Sequence, residues 1–166
     1  MSAIEQVCAV LIERFAAQGI HAAAAGGVSH APLYSQSVLV VDVQQAAGES
    51  AGFLDYLGER VDETGASVEL YGRRMEIVFS LLAYATAQEG TAGCTALLEK
   101  AEQALLRGLP SGLKLGEVRW GECVWREAEE MFLRRGEAHA TAFFIAEAND
   151  DAAVVTDFKL RGVLTW

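Results

Sequence analysis

The stretch VELYGRRMEIVFSLLAYA, residues 68–85, constrains the fold more than any other part of the chain. From Met75 the odd positions Met75, Ile77, Phe79, Leu81 and Ala83 are all apolar. That is the period-2 pattern of a strand with one buried face. The even positions Glu76, Val78, Ser80, Leu82 and Tyr84 start polar and end apolar. A strand of this kind needs cover on one face along its length and on the second face near its end.

The flanking segments supply some of that cover. Residues 2–18 read as an amphipathic helix, with Ile4, Val7, Cys8, Leu11 and Phe15 at helical spacing. Ser2 and Glu5 have the spacing of a capping box, and Gly19 suits the left-handed position beyond the helix. Residues 22–32 are small and broken by Gly26, Gly27 and Pro32, which predicts a loop or an irregular start to a strand. Residues 33–43 predict a strand that is apolar on both faces near its end. Residues 44–67 are rich in Gly, Ala and acids around an apolar island of Phe53, Leu54, Tyr56 and Leu57. Such a length is unusual for a loop inside a compact domain. The reading is a flexible arm with a weak anchor and room for a single helical turn.

Residues 93–107 predict the second helix, with a stripe of Cys94, Leu97, Leu98, Ala101 and Leu105 and a stop at Gly108 and Pro110. Residues 113–127 and 131–147 read as strands joined by a short turn at Ala128, Glu129 and Glu130, hence an antiparallel hairpin. Residues 153–166 alternate as a last strand with one wet face. The order predicts an α+β fold: an antiparallel or mixed sheet of four to five strands with two helices packed on one face. The 166 residues fit a single domain, 1–166, carrying the flexible arm at about 44–67.

The usual chemical signatures are missing from this sequence. It has no GxGxxG, GxxxxGK[ST], GxSxG or HExxH motif. His21, His30 and His139 are scattered, so neither a metal site nor a cofactor is expected. The carboxylate pairs Asp62–Glu63, Glu129–Glu130 and Asp150–Asp151 fall in turns, where solvated surface is the simpler reading. Cys8, Cys94 and Cys123 lie far apart, odd in number and without a CxxC, and read as buried reduced thiols. The start MSAIEQVCAV lacks a basic segment, so no signal peptide is expected, and no apolar run reaches the ~20 residues of a membrane span. A net charge of -10 disfavours tight binding to a phosphate backbone.

Two-sided decoration then points to self-association. Leu39–Val43, Ile77–Tyr84, Trp120–Trp125 and Ala142–Ala146 are each apolar on both sides. Two helices cover only one face of a sheet, so a second copy of the chain is the simplest remaining cover; a closed small barrel is the monomeric alternative. By parity Trp120 and Trp125 fall on opposite faces, and one of them is expected at an interface. Arg73–Arg74 and Arg134–Arg135 sit inside strands, where one of each pair either snorkels to water or pairs with a carboxylate across an interface.

The order of elements resembles that of the tail terminator (tail completion) proteins of tailed phages and prophage-derived particles. An N-terminal helix, a strand and an extended arm precede ELYGRRMEIVFSLLAYA. The helix CTALLEKAEQALL, the hairpin GEVRWGECVWREAEEMFLRRGEAHATAFFIAE and a short last strand follow. The likeness spans nearly the whole chain and rests on element order, length and character rather than on invariant residues. It implies a non-enzymatic virion protein that forms a homo-oligomeric ring, a hexamer, capping the tail tube at its final length. Strands would build the ring with the helices outside. The implied partners are the chain itself, the tail tube protein and a neck or head connector protein, with DNA only passing through the bore and no membrane. The implied location is the virion tail, after assembly in the cytoplasm of the host bacterium. Candidate subunit or tube contacts are Phe53, Leu54, Tyr56, Leu57, Arg73, Arg74, Trp125, Arg134 and Arg135. The arm is longer than in terminators of some long-tailed phages, which leaves open the tail type and any contact with a sheath. Two other readings remain. One is a different head–tail joining or tube protein of similar build. The other is a small α+β ligand-binding protein or enzyme with an apolar pocket between helix and sheet, served by His139 or Glu137.

Overall fold

A computed structural model describes residues 2–25, 36–50, 54–109, 112–148 and 159–160. The elements are α1 (Ala3–Ala17), β1 (Ala22–Ala24), β2 (Val38–Ser50), β3 (Tyr56–Val61), β4 (Ser67–Thr86), α2 (Gly90–Leu106), β5 (Leu113–Arg126), β6 (Met131–Ala148) and β7 (Lys159–Leu160). Among the described residues seven strands form one sheet in the order β1-β2-β4-β6-β5, with β3 added beside β4 and β7 beside β6. Only the β1–β2 pair is parallel among the described residues. The fold is α+β, as expected, with more strands than the predicted four to five.

The surplus strands arise because two long central strands each have an edge shared between two partners. Along one edge of β4, β2 pairs from Arg73 to Tyr84 and β3 from Ser67 to Tyr71. The far edge of β6 is taken by β5 as far as Ala142 and by β7 at Phe144 and Ile145. The sheet is therefore five strands wide at most, though built from seven.

Both helices lie on one face. Ser2 and Glu5 close the predicted capping box on α1: the Ser2 amide donates to the Glu5 carboxylate at 2.6 Å, and the Glu5 amide to Ser2 Oγ at 3.2 Å. Val7, Leu11 and Phe15 of α1 and Leu97, Leu98, Ala101, Ala104 and Leu105 of α2 share one core with Leu39, Val41, Ile77, Phe79, Leu81 and Ala83. Ala138 and Ala140 of β6 stand opposite Phe79 and Ile77. This alternation of large and small side chains across the strand pair lets the helices sit close over β6 while filling the volume above β4. The apolar odd positions read from β4 are thus the helix-covered face, as its period required.

The second face behaves differently from expectation. Pairing of β4 with β6 runs from Glu69–Ala148 to Thr86–Met131 without a register shift, so face parity is kept along the whole strand. At one end of this face Val38, Val40, Met131 and Leu133 are buried within the chain; at the other Val68, Leu70 and Ile145 are buried. Between them lie Glu76, Ser80, Arg135, Glu137, His139 and Thr141, a polar strip. The apolar ends of this face therefore need no second copy to leave water, and among the described residues the sheet stays open, with β1 and β5 at its edges.

The arm is also corrected. Residues 44–50 continue β2, residues 56–61 form β3, and β4 already begins at Ser67. A strand of 20 residues is about 65 Å long at ~3.3 Å per residue, whereas helices of 15 and 17 residues reach only about 25 Å at ~1.5 Å per residue. Strand β4 therefore runs past the helices, and β2 and β3 satisfy its exposed backbone edge. Phe53, His30, Pro32 and Trp166, and the strand readings at 33–35, 153–158 and 161–166, lie outside the described residues. No helix among the described residues is long and apolar enough to cross a membrane.

Candidate assembly surfaces and polar groove

The extension beyond the helices ends in a well-tied hairpin. At its tip Asp62 Oδ1 accepts from the Thr64 amide at 2.8 Å, the Thr64 hydroxyl at 2.6 Å and the Ala66 amide at 3.0 Å. These bonds hold its carboxyl below the usual carboxylate range. Gly65 takes φ 86, a left-handed conformation that glycine adopts without steric cost. Tyr56 and Tyr71 meet edge to face at 5.8 Å across the β3–β4 pair. Desolvation raises the Tyr56 phenol, and a hydrogen bond to Glu69 raises that of Tyr71.

Of the predicted contacts in this region, some face outward and some are used internally. Leu54 is 79% exposed and Tyr56 40%, and the neighbouring Val61, which sequence reasoning missed, is 69% exposed. Leu57 instead folds inward onto Gly72, where a Cβ would lie 2.5 Å from Leu57 Cδ1. Arg73 pairs with Asp55 at 2.9 Å. Arg74 pairs with Glu49 at 3.1 Å and also with Glu76, stitching β2 to β4. Such exposed pairs contribute about 0–1 kcal/mol each, so they hold side chains in place more than they hold the fold together.

The opposite end of the sheet carries the second apolar tip. Val124 is 47% and Trp125 46% exposed beside the β5–β6 turn. Trp125 meets Phe132 edge to face at 5.0 Å. A register shift between Trp120 and Cys123 overturns the parity reading of this strand. Trp120 stands opposite Gly136 and Trp125 opposite Phe132, two residues on the same face of an unbroken β6. Both tryptophans are therefore on the helix side, because the bulge inserts an extra residue between them. Trp120 lies flat on Gly136, where a Cβ would be 1.9 Å from its ring. Arg134, predicted at an interface, reaches Gly121 O at 2.7 Å and Thr95 Oγ1 at 3.3 Å and so clamps α2 to β5. Its neighbour Arg135 points to the other face, exposed and without an ion-pair partner among the described residues.

Arg135 borders an open groove of about 340 Å³, shared with Gln44, Ser80, Arg119, Trp120, Gly121, Gly136 and Glu137. Glu137 Oε1 meets His139 Nε2 at 2.8 Å. Thr141 Oγ1 donates to Glu76 at 2.9 Å, and Arg119 Nε to Glu117 at 2.8 Å, which lowers the Glu117 carboxyl. Glu137, Glu76 and Arg119 each meet a neighbour, Arg135 has no ion-pair partner among the described residues, and Ser80 is not hydrogen-bonded to His139. The arrangement provides polar surface rather than an activated nucleophile. Among the described residues the space between helices and sheet, where the ligand-binding alternative expects its pocket, is small. The void between α1, α2 and the sheet, lined by Leu11, Phe79, Leu81, Leu105 and Leu113, measures about 10 Å³. That is room for roughly one water and no organic ligand. Among the described residues no three His, Cys, Asp or Glu side chains gather to hold a metal.

Two cysteines distant in sequence come together. Cys94 on α2 is fully buried, with its thiol 3.4 Å from Ala83 O and 3.5 Å from Phe132 O. Burial, followed by a hydrogen bond with the Cys123 thiol, pushes the Cys94 thiol up to about 12. Cys8 is raised by burial on α1. Spacing alone gave no signal for the proximity of Cys94 and Cys123, since 28 residues and a change from helix to strand separate them.

No protein-family model matches the chain, and no curated protein matches it.

Proposed function

We propose that this chain is a structural subunit of a tailed phage or phage-like particle. Copies of it form a ring, a hexamer, that caps the tail tube and joins it to the neck. The reading rests on element order and on one observation: unlike apolar tips stand at opposite ends of the sheet. Leu54, Tyr56 and Val61 occupy one end, and Val124 and Trp125 the other. Along β4 the two are separated by 13 to 18 residues, about 43–60 Å of strand. Two different patches at opposite ends favour head-to-tail association, which closes into rings, over a two-fold dimer that needs one self-complementary patch. An acidic chain suits a bore through which DNA passes without being held. The tail tube protein and a neck or head connector protein are the remaining partners, with assembly in the host cytoplasm and a final place in the virion tail.

Light scattering after size exclusion, with electron microscopy of the same fractions and of mixtures with tail tube subunits, tests the proposal. Rings alone or on tube ends are expected, and Val61→Glu should weaken them while leaving the monomer folded. A protein that stays monomeric at high concentration and leaves tube ends bare would end it.

A further inference from the structure

We propose that Cys94 and Cys123 form a thiol-oxidation site, closing an intramolecular disulfide between α2 and β5 when the chain meets a low-molecular-weight disulfide such as oxidised glutathione. Register and contacts converge on this pair. Cys94 Sγ lies 3.5 Å from Phe132 O, on the helix-covered side of β6. Arg134, two residues further along β6 on the same face, is the cross-strand partner of Cys123. The Arg134 guanidinium holds Gly121 O at 2.7 Å and Thr95 Oγ1 at 3.3 Å, so the residues flanking each cysteine are clamped by one side chain. Cys8 sits on α1 and faces neither of these cysteines.

The chemistry is thiol–disulfide exchange in two balanced steps. Cys123, half-exposed where Cys94 is fully buried, attacks the small disulfide first. One sulfur of the reagent bonds to Cys123 Sγ, and the other leaves as a thiolate that takes up the proton Cys123 gave to solvent. Cys94 then loses its proton, attacks Cys123 Sγ and displaces the second small thiol. Two protein thiols are oxidised to one disulfide and the reagent is reduced to two thiols. Cys94 is reluctant to ionise, so the second step is slow near neutral pH and accelerates as pH rises. Cys8, with no resolving thiol, stops at the mixed disulfide.

The test uses the full folded chain with Cys8→Ser, so that these two thiols alone remain, alongside the unaltered chain. Each is incubated with oxidised glutathione, denatured, alkylated and weighed intact, then mapped by peptides. Expected are the loss of both thiols without a glutathione adduct, a Cys94–Cys123 cross-linked peptide, and a closing rate that rises roughly tenfold per pH unit through pH 7–9. In the unaltered chain the same cross-link should form with a single adduct on Cys8. A lasting adduct on Cys123 beside a free Cys94, two alkylated thiols after prolonged exposure, or Cys123-linked dimers would each overturn the proposal.

Discussion

Replacing Phe79 by alanine removes the ring at the centre of the core. Phe79 is 2% exposed and packs between α1, α2 and β6. Losing the ring withdraws roughly 120–150 Å² of apolar burial, worth about 3–4 kcal/mol at ~25 cal/mol per Å². The side chain opposite is Ala138, too short to reach into the space left. Leu11 and Leu105, which line the existing void beside Phe79, would have to move with their helices to fill it. Collapse is therefore partial, and a cavity cost adds to the transfer cost. The total is about 4 kcal/mol, inside the range of ~3–5 for buried Phe→Ala. For a chain of this size that lowers the melting temperature by about 8–16 °C. Urea unfolding followed by tryptophan fluorescence, with the slope checked against the parent, measures it. A loss below about 1 kcal/mol with an unchanged slope would mean that the odd positions of β4 are not the packed face.

Other perturbations probe the remaining parts of the fold. Gly136→Val should destabilise the chain by about 1–3 kcal/mol, because its side chain collides with the Trp120 ring; a neutral result in thermal melts would place Trp120 elsewhere. Ser2→Ala opens the capping box on α1 and should cost about 1 kcal/mol, read from chemical denaturation. At the hairpin tip Asp62 has a lowered folded pKa, so its contribution is complete above the ordinary carboxylate value and lost as pH falls through the folded one. Amide exchange at Gly65 and Ala66 should accelerate below about pH 4 beyond the ordinary pH trend, and Asp62→Asn should remove that pH response.

Much of the secondary structure was legible because burial writes periodicity into a sequence. Helix α1 announced itself through Ser2, Glu5 and the Val7–Leu11–Phe15 stripe, and both limits agree with the structure to within a residue. Helix α2 showed the same kind of stripe at Cys94, Leu97, Leu98, Ala101 and Leu105. The buried odd face of β4 and the β5–β6 hairpin were equally plain. The arm was misread for the complementary reason. Residues 44–50 are exposed on both faces, so they carry no alternation although their backbone is paired along β4. Of the candidate contacts, Leu54, Tyr56 and Trp125 are exposed, while Leu57, Arg73, Arg74 and Arg134 have partners within the chain.

The sequence by itself determined which segments form helices and strands and which side of each faces the core, because those choices depend on side chains a few residues apart. Tertiary structure alone decided that β4 outruns its helices and recruits β2 and β3 along one edge. It also decided that a bulge turns Trp125 to the side of Trp120, and that Cys94 packs against β6 beside the cross-strand partner of Cys123. These outcomes depend on backbone hydrogen bonds between distant segments. Every residue offers the same amide and carbonyl to such bonds, so the order of side chains leaves no record of them.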